Sequence, residues 1–187
     1  MDVTLRNELT APEEARDLLA MAKAKYGFVP NLLAVMANAP PLLKSYMTLS
    51  SLFETTSLTP TERQVVLLSV STRNQCGYCV AAHTMIASMQ DVPADVVEAI
   101  RAGQPITDPK LAALRRFAEE VTTTRGWPSP TTVERFLDAG YTEAQALEVL
   151  IGVGMKTISN YTNHLAGTPL DRAFAVAEWE PAGATSR

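Results

Sequence analysis

Between its prolines and glycines this chain repeats apolar side chains every three or four positions, and no stretch alternates apolar and polar over six residues with β-branched enrichment. The pattern predicts an all-α fold. Leu18, Leu19 and Ala22 recur at helical spacing between Pro12 and Gly27. Pro30 and the pair Pro40-Pro41 bracket a short apolar helix, Asn31 to Asn38. From Leu42 to Phe53 the 3.6 period returns. Thr59-Pro60-Thr61-Glu62 is a capping box with proline in the first helical position, opening a helix through Val70. Another helix is expected from near Cys76 to about Met89. Pro93, Pro109 and Pro130 mark further starts, and Gly103, Gly126 and Gly140 further ends. Thr142 with Gln145 is a second capping box, opening a long helix toward His164, and a last helix is expected over Asp171–Glu178. Gly152 and Gly154 inside the long helix suggest close packing.

A chain of 187 residues reads as a single all-helical domain, 1–187, able to bury about 70% of its extended surface. With 47% apolar and 19% charged residues it is no disordered chain, and that balance predicts a homo-oligomer, dimer or larger. The net charge of −4 without a Lys/Arg cluster argues against nucleic acid as a partner, and no apolar run approaches a membrane span. MDVTLRNELTAPEEAR has neither the basic nor the apolar region of a secretory signal, so a cytoplasmic location is expected.

A weak internal repeat lies at an offset of 83 residues, with 58–79 over 141–162 and five identities in 22 positions. Both copies begin with a capping box in the same register. The halves would run roughly 40–104 and 105–178, and Ser159 and Thr162 stand where the first copy has its cysteines. On that reading one half carries the chemistry and the other is a structural echo.

The chemistry concentrates in CGYCVAAH, residues 76–83. On a helix Cys76, Cys79 and His83 share one face. Two cysteines three apart, in a reducing compartment, point to thiol chemistry. A helix N-terminus and His83 would both favour the thiolate, the reactive form. Such a dithiol suits peroxide reduction: one sulfur becomes a sulfenic acid, the other condenses with it, and a partner dithiol reduces the disulfide. An i, i+3 pair at a helix start is expected to form that disulfide reversibly. Two readings compete at this point. The cysteines serve as small core hydrophobes, or Cys76, Cys79, His83 and His164 bind a metal.

The string E-R-Q-V-V-L-L-S-V-S-x-x-N-x-C-x-Y-C-x-x-x-H, residues 62–83, resembles the core of the carboxymuconolactone decarboxylase/alkylhydroperoxidase D superfamily. GFVPNLLAVMANAPPLLKSY (27–46) resembles the upstream region of its peroxidase-related members, and NYTNHLAGTPLD (160–171) is similar to a tail segment of one subgroup. The resemblance spans roughly residues 20–175. It implies an alkylhydroperoxidase D-like helical bundle with an internal two-fold repeat, homo-oligomers that are often trimers or hexamers, and thiol-dependent reduction of a small hydroperoxide with no bound cofactor and no metal. It implies Cys79 as the peroxidatic thiol, Cys76 as its partner and His83 in a proton relay. The relay's usual glutamate lies twelve residues before the first cysteine. Here that position is Gln64, which holds a hydrogen bond but takes no proton. Decarboxylase members usually lack the cysteine pair.

Glu62, two residues before Gln64, is expected to serve as a cap. Tyr161, Asn163 and His164 form a polar cluster that is a candidate pocket lining, with Glu62 a further candidate. Tyr78 is expected to pack, Met85, Met89 and Met155 to be core, and Glu13 and Glu14 to form a solvated helix start. The leading functional expectation is a thiol peroxidase or disulfide reductase with an unidentified dithiol reductant. The alternatives are a non-catalytic redox-sensing helical oligomer and a cofactor-free lyase of the decarboxylase type.

Overall fold

The structure is a computed structural model that describes residue 1 and residues 3–181. Helices α1 (Glu13–Tyr26), α2 (Asn31–Met36), α3 (Pro40–Glu54), α4 (Pro60–Arg73), α5 (Gly77–Met89), α6 (Ala94–Arg101), α7 (Pro109–Thr123), α8 (Pro130–Asp138) and α9 (Glu143–Ala166) follow in order, and a 3₁₀ helix covers Arg172–Ala177. Among the described residues there is no strand, and no helix is long and apolar enough to cross a membrane.

Both predicted capping boxes form. The Thr59 hydroxyl accepts from the Glu62 N–H at 3.2 Å and the Glu62 carboxylate accepts from the Thr59 N–H at 2.8 Å. Thr142 and Gln145 repeat the arrangement at the start of α9. The last expected helix forms as a 3₁₀ helix, Arg172–Ala177.

Helix α4 is the centre. Its residues 64–71 are all buried, as expected of a helix apolar on nearly every side, and it packs against α5, α6, α7 and α9. Two apolar clusters result. The larger joins α4 to α6, α7, α8 and α9 through Val66, Leu68, Leu114, Phe117 and Phe136. The smaller joins α1, α2 and α3 to the start of α5 and holds Cys76, Tyr78 and Cys79.

The chain breaks between α4 and α5 in a tight turn. Gln75 adopts a left-handed conformation, φ 57°, and the Cys76 N–H donates to the Ser71 carbonyl at 2.9 Å. A non-glycine residue is costly there, by about 1–2 kcal/mol, and the turn sets Cys76 at the cap of α5. In the second copy of the 83-residue repeat the matching residues run straight through α9. The two entrances recur and the break does not.

Two close approaches fix the helices around the thiols. A Cβ on Gly152 would lie 2.8 Å from Phe53 Cζ and 2.9 Å from Val66 Cγ1, so only glycine lets α9 come down onto α3 and α4. A Cβ on Gly77 would lie 2.7 Å from the Trp179 carbonyl oxygen. The segment after α9 therefore lies across the start of α5. It is pinned there by Trp179 Nε1–H donating to the Arg101 carbonyl at 2.9 Å and by Arg101 donating to the Ala177 and Glu178 carbonyls.

Candidate active site

Cys76 and Cys79 are free thiols, both buried, at the cap and in the first turn of α5. The Cys76 thiol is within hydrogen-bonding reach of the Cys79 sulfur. Cys79, His83 and Gln64 share the wall of a cavity of about 320 Å³. Most of its remaining wall is apolar, including Leu32, Leu67, Met155, Phe28 and Phe174. Cys76 lies behind that wall.

His83 does not hydrogen-bond to either sulfur. Its Nδ1 lies 3.0 Å from Gln64 Oε1, and the Gln64 amide donates in turn to Gln90 Oε1 at 3.0 Å. An amide oxygen only accepts, so the imidazole holds its proton on Nδ1 and leaves Nε2 as a lone pair. Burial, and second the Lys156 ammonium, hold the His83 pKa well below the ordinary imidazole value.

On the other side of the site, sequence reasoning flagged Gly152 for close packing and Asn163 as a candidate but missed Lys156 and the contact of Ser159 with the thiols. Helix α9 sets Gly152, Lys156, Ser159 and Asn163 in one stripe facing α4 and α5, all buried. Asn163 Nδ2 donates to Cys79 Sγ at 3.3 Å and to Cys76 Sγ at 3.7 Å. Ser159 Oγ lies 3.8 Å from Cys79 Sγ. Lys156, only 1% exposed, lines the cavity alongside Cys79, one turn before Ser159, and its positive charge favours the Cys79 thiolate. Burial opposes ionisation of Cys79, but the Cys76 thiol, the ammonium and the Ser159 hydroxyl outweigh it and hold the Cys79 pKa well below an ordinary thiol's. Cys76 moves the opposite way, first because it hydrogen-bonds to Cys79 and then because it is buried. The pair therefore ionises at Cys79.

The remaining candidates fall in different places. Asn163 reaches both thiols from behind the cavity wall. Tyr161 and His164 are exposed on the outer part of α9, their rings 6.4 Å apart, and line no part of the cavity. His164 does not approach the thiols, and among the described residues no three His, Cys, Asp or Glu side chains converge as metal ligands. Glu62 also lies off the cavity: it caps α4 and pairs with Lys110 at 3.2 Å. Tyr78 packs edge-on to Phe174 and donates to Asp171, while its oxygen accepts from the Leu32 N–H at 3.2 Å. Met155 is core, Met85 half-buried, and Met89, expected in the core, is 81% exposed at the cavity.

Residues 40–120 match the carboxymuconolactone decarboxylase family. No curated protein matches the chain. A crystal structure described as an alkylhydroperoxidase AhpD core, a peroxidase-related protein from Ralstonia eutropha JMP134, superposes with a TM-score of 0.81 at 22% identity, covering 91% of this chain and 92% of that one. A peroxidase-related protein from Silicibacter sp. TM1040 gives 0.74 at 17% identity, over 93% of this chain and 92% of its own. The debrominase Bmp8 gives 0.75 at 17% identity, over 88% and 90%. Residues 40–120 thus carry the pattern of the carboxymuconolactone decarboxylase family, and over most of its length the chain has the fold of these peroxidase-related structures.

Proposed function

We propose that this chain is a thiol-dependent hydroperoxide reductase in which Cys79 attacks the peroxide and Cys76 resolves the product. The observation that carries the reading is the sulfur pair itself. Cys79 is the thiol on the cavity wall, its surroundings favour the thiolate, and the second thiol touches it from behind. The Cys79 thiolate displaces an alkoxide from the O–O bond and becomes a sulfenic acid. Cys76 then attacks that sulfur, releasing water and leaving a Cys76–Cys79 disulfide. An external dithiol returns both sulfurs to the reduced state by exchange. Each cycle turns one hydroperoxide and one dithiol into an alcohol, water and a disulfide, with no bound cofactor. The peroxidase-related names of two fold neighbours agree with this reading.

The largely apolar cavity favours a second reading, reductive removal of halogen from a ring, with the same two thiols supplying the two electrons. The third neighbour is named a debrominase. One experiment separates the two. Purified protein is given cumene hydroperoxide with and without dithiothreitol, and free thiols are titrated before and after one equivalent of peroxide. Catalytic peroxide loss, a fall from two thiols to none, and loss of both in Cys79→Ser are expected. Two thiols remaining after peroxide, with halide released from a brominated aromatic compound, would replace the first reading by the second.

A further inference from the structure

Lys156 is an unusual residue to find 1% exposed in a small helical protein. A buried ammonium is costly unless something nearby carries the opposite charge. Among the described residues no carboxylate forms an ion pair with it. It shares the cavity wall with Cys79, and Ser159, three residues further along the same buried stripe of α9, lies 3.8 Å from the Cys79 sulfur. The other charged side chains on the cavity wall have partners of their own: Lys25 pairs with Glu54 at 2.8 Å and Arg63 donates to the Leu58 carbonyl. From α3 comes Tyr46, from α4 the neutral amide of Gln64, and from α5 Cys76, Tyr78 and the uncharged His83. Asp171, beyond α9, is taken up by the Tyr78 hydroxyl and the Asn31 N–H.

We propose that Lys156 is a catalytic residue: its ammonium is the counter-ion of the Cys79 thiolate and the proton source for the alkoxide that leaves when the peroxide is cleaved. The inference rests on Cys79 being the attacking thiol. It accounts for the neutral Gln64 beside His83, because the proton no longer has to pass through the imidazole.

The protons balance around the cycle. In the reduced enzyme the Cys79 proton resides on Lys156, so the pair is an ammonium and a thiolate. Attack on the distal oxygen forms the S–O bond, breaks O–O and leaves an alkoxide. The ammonium, which has lost its counter-ion in a buried place, gives its proton to the alkoxide and becomes an amine. Condensation of the Cys76 thiol with the sulfenic acid releases water and leaves the amine unchanged. Reduction of the disulfide by the external dithiol brings back two thiols, and the amine takes the Cys79 proton again. Lys156 lines the same cavity as Cys79, so it faces both the sulfur and the incoming peroxide.

The test reads the thiol first, without peroxide. The pH profile of Cys79 alkylation by iodoacetamide is measured in Cys76→Ser, Cys76→Ser/Lys156→Met and Cys76→Ser/Lys156→Arg, and by 240 nm thiolate absorbance in the unmutated protein. A Cys79 profile well below the ordinary thiol range is expected, moved up by at least about one pH unit in Lys156→Met and restored in Lys156→Arg. An ordinary thiol profile in the unmutated protein overturns the proposal even if every Lys156 variant fails to fold. So does a Lys156→Met profile that overlays its parent. This arm stands whether or not the protein consumes peroxide, which keeps its failure distinct from failure of the peroxidase reading. The second arm compares single-turnover oxidation by tert-butyl hydroperoxide and by peracetic acid, at a pH where Cys79 is ionised in every variant. A carboxylate leaves without needing a proton, whereas an alkoxide needs one. Lys156→Met should therefore slow the alkyl hydroperoxide at least tenfold more than the peracid, within the range for loss of a general acid. Equal slowing of both overturns the proton-donor role.

Discussion

His83 shows how one buried side chain links the site to stability. It is neutral, its Nδ1 proton faces Gln64, and burial, followed by the Lys156 charge, keeps its pKa well below 6.5. The unfolded chain takes up that proton first as the pH falls. The stability tied to neutral His83 is thus complete above about pH 6.5 and drains away below it, by at most about 1.4 kcal/mol per pH unit for one group. Urea unfolding at pH 7.5, 6.0 and 5.0 should show His83→Gln losing less stability than the unmutated protein over that interval. Parallel losses in the two proteins would mean that His83 is not held neutral. In Gln64→Glu a carboxylate takes the place of an oxygen 3.0 Å from Nδ1, and the His83 titration followed by NMR should move upward.

At the scale of elements, the outcome turns on how closely α9 approaches α4 and α5. Gly152→Ala would drive a methyl group into Phe53 and Val66, at distances that oblige one of them to shift. We expect a loss of about 1–3 kcal/mol in thermal unfolding, with a higher alkylation pH for Cys79, because Lys156, Ser159 and Asn163 ride on the same face. An unchanged melting temperature would show that the helices part without cost. Most of the helices were legible in the sequence. Capping residues, prolines and apolar spacing are local signals, and the cysteines and His83 fall within eight residues. What could not be read was which face of α9 turns inward. Its buried stripe of Gly152, Lys156, Ser159 and Asn163 is small and polar, while Leu147, Leu150, Tyr161 and Leu165 on the opposite side are exposed. A helix that puts polar groups inward and apolar ones outward reverses the usual rule. The clues were the glycine at 152, the candidate Asn163, and the repeat, which set Ser159 over Cys76. That supposed echo in fact supplies the polar wall of the thiol site.

The same reversal governs the molecule as a whole. The folded chain exposes 10210 Å², against about 8,800 Å² for a compact monomer of this size. The outer face of α9 exposes Leu147, Leu150, Tyr161 and Leu165 together, an apolar patch that suits contact with another copy. We expect light scattering at micromolar concentration to report a particle of at least two chains, and Leu150→Glu combined with Leu165→Glu to shift it toward the single chain. A particle of one chain in the unmutated protein would refute this. The segment lying across Gly77 has a further consequence, for the order in which the site comes into being. The dithiol is synthesised by residue 79, its polar wall only by residue 163, and the covering stretch that ends at Trp179 last of all. On the ribosome the two sulfurs thus spend the time needed to add about a hundred residues without their finished enclosure, so the moment of greatest exposure to unwanted oxidation comes before the protein is complete.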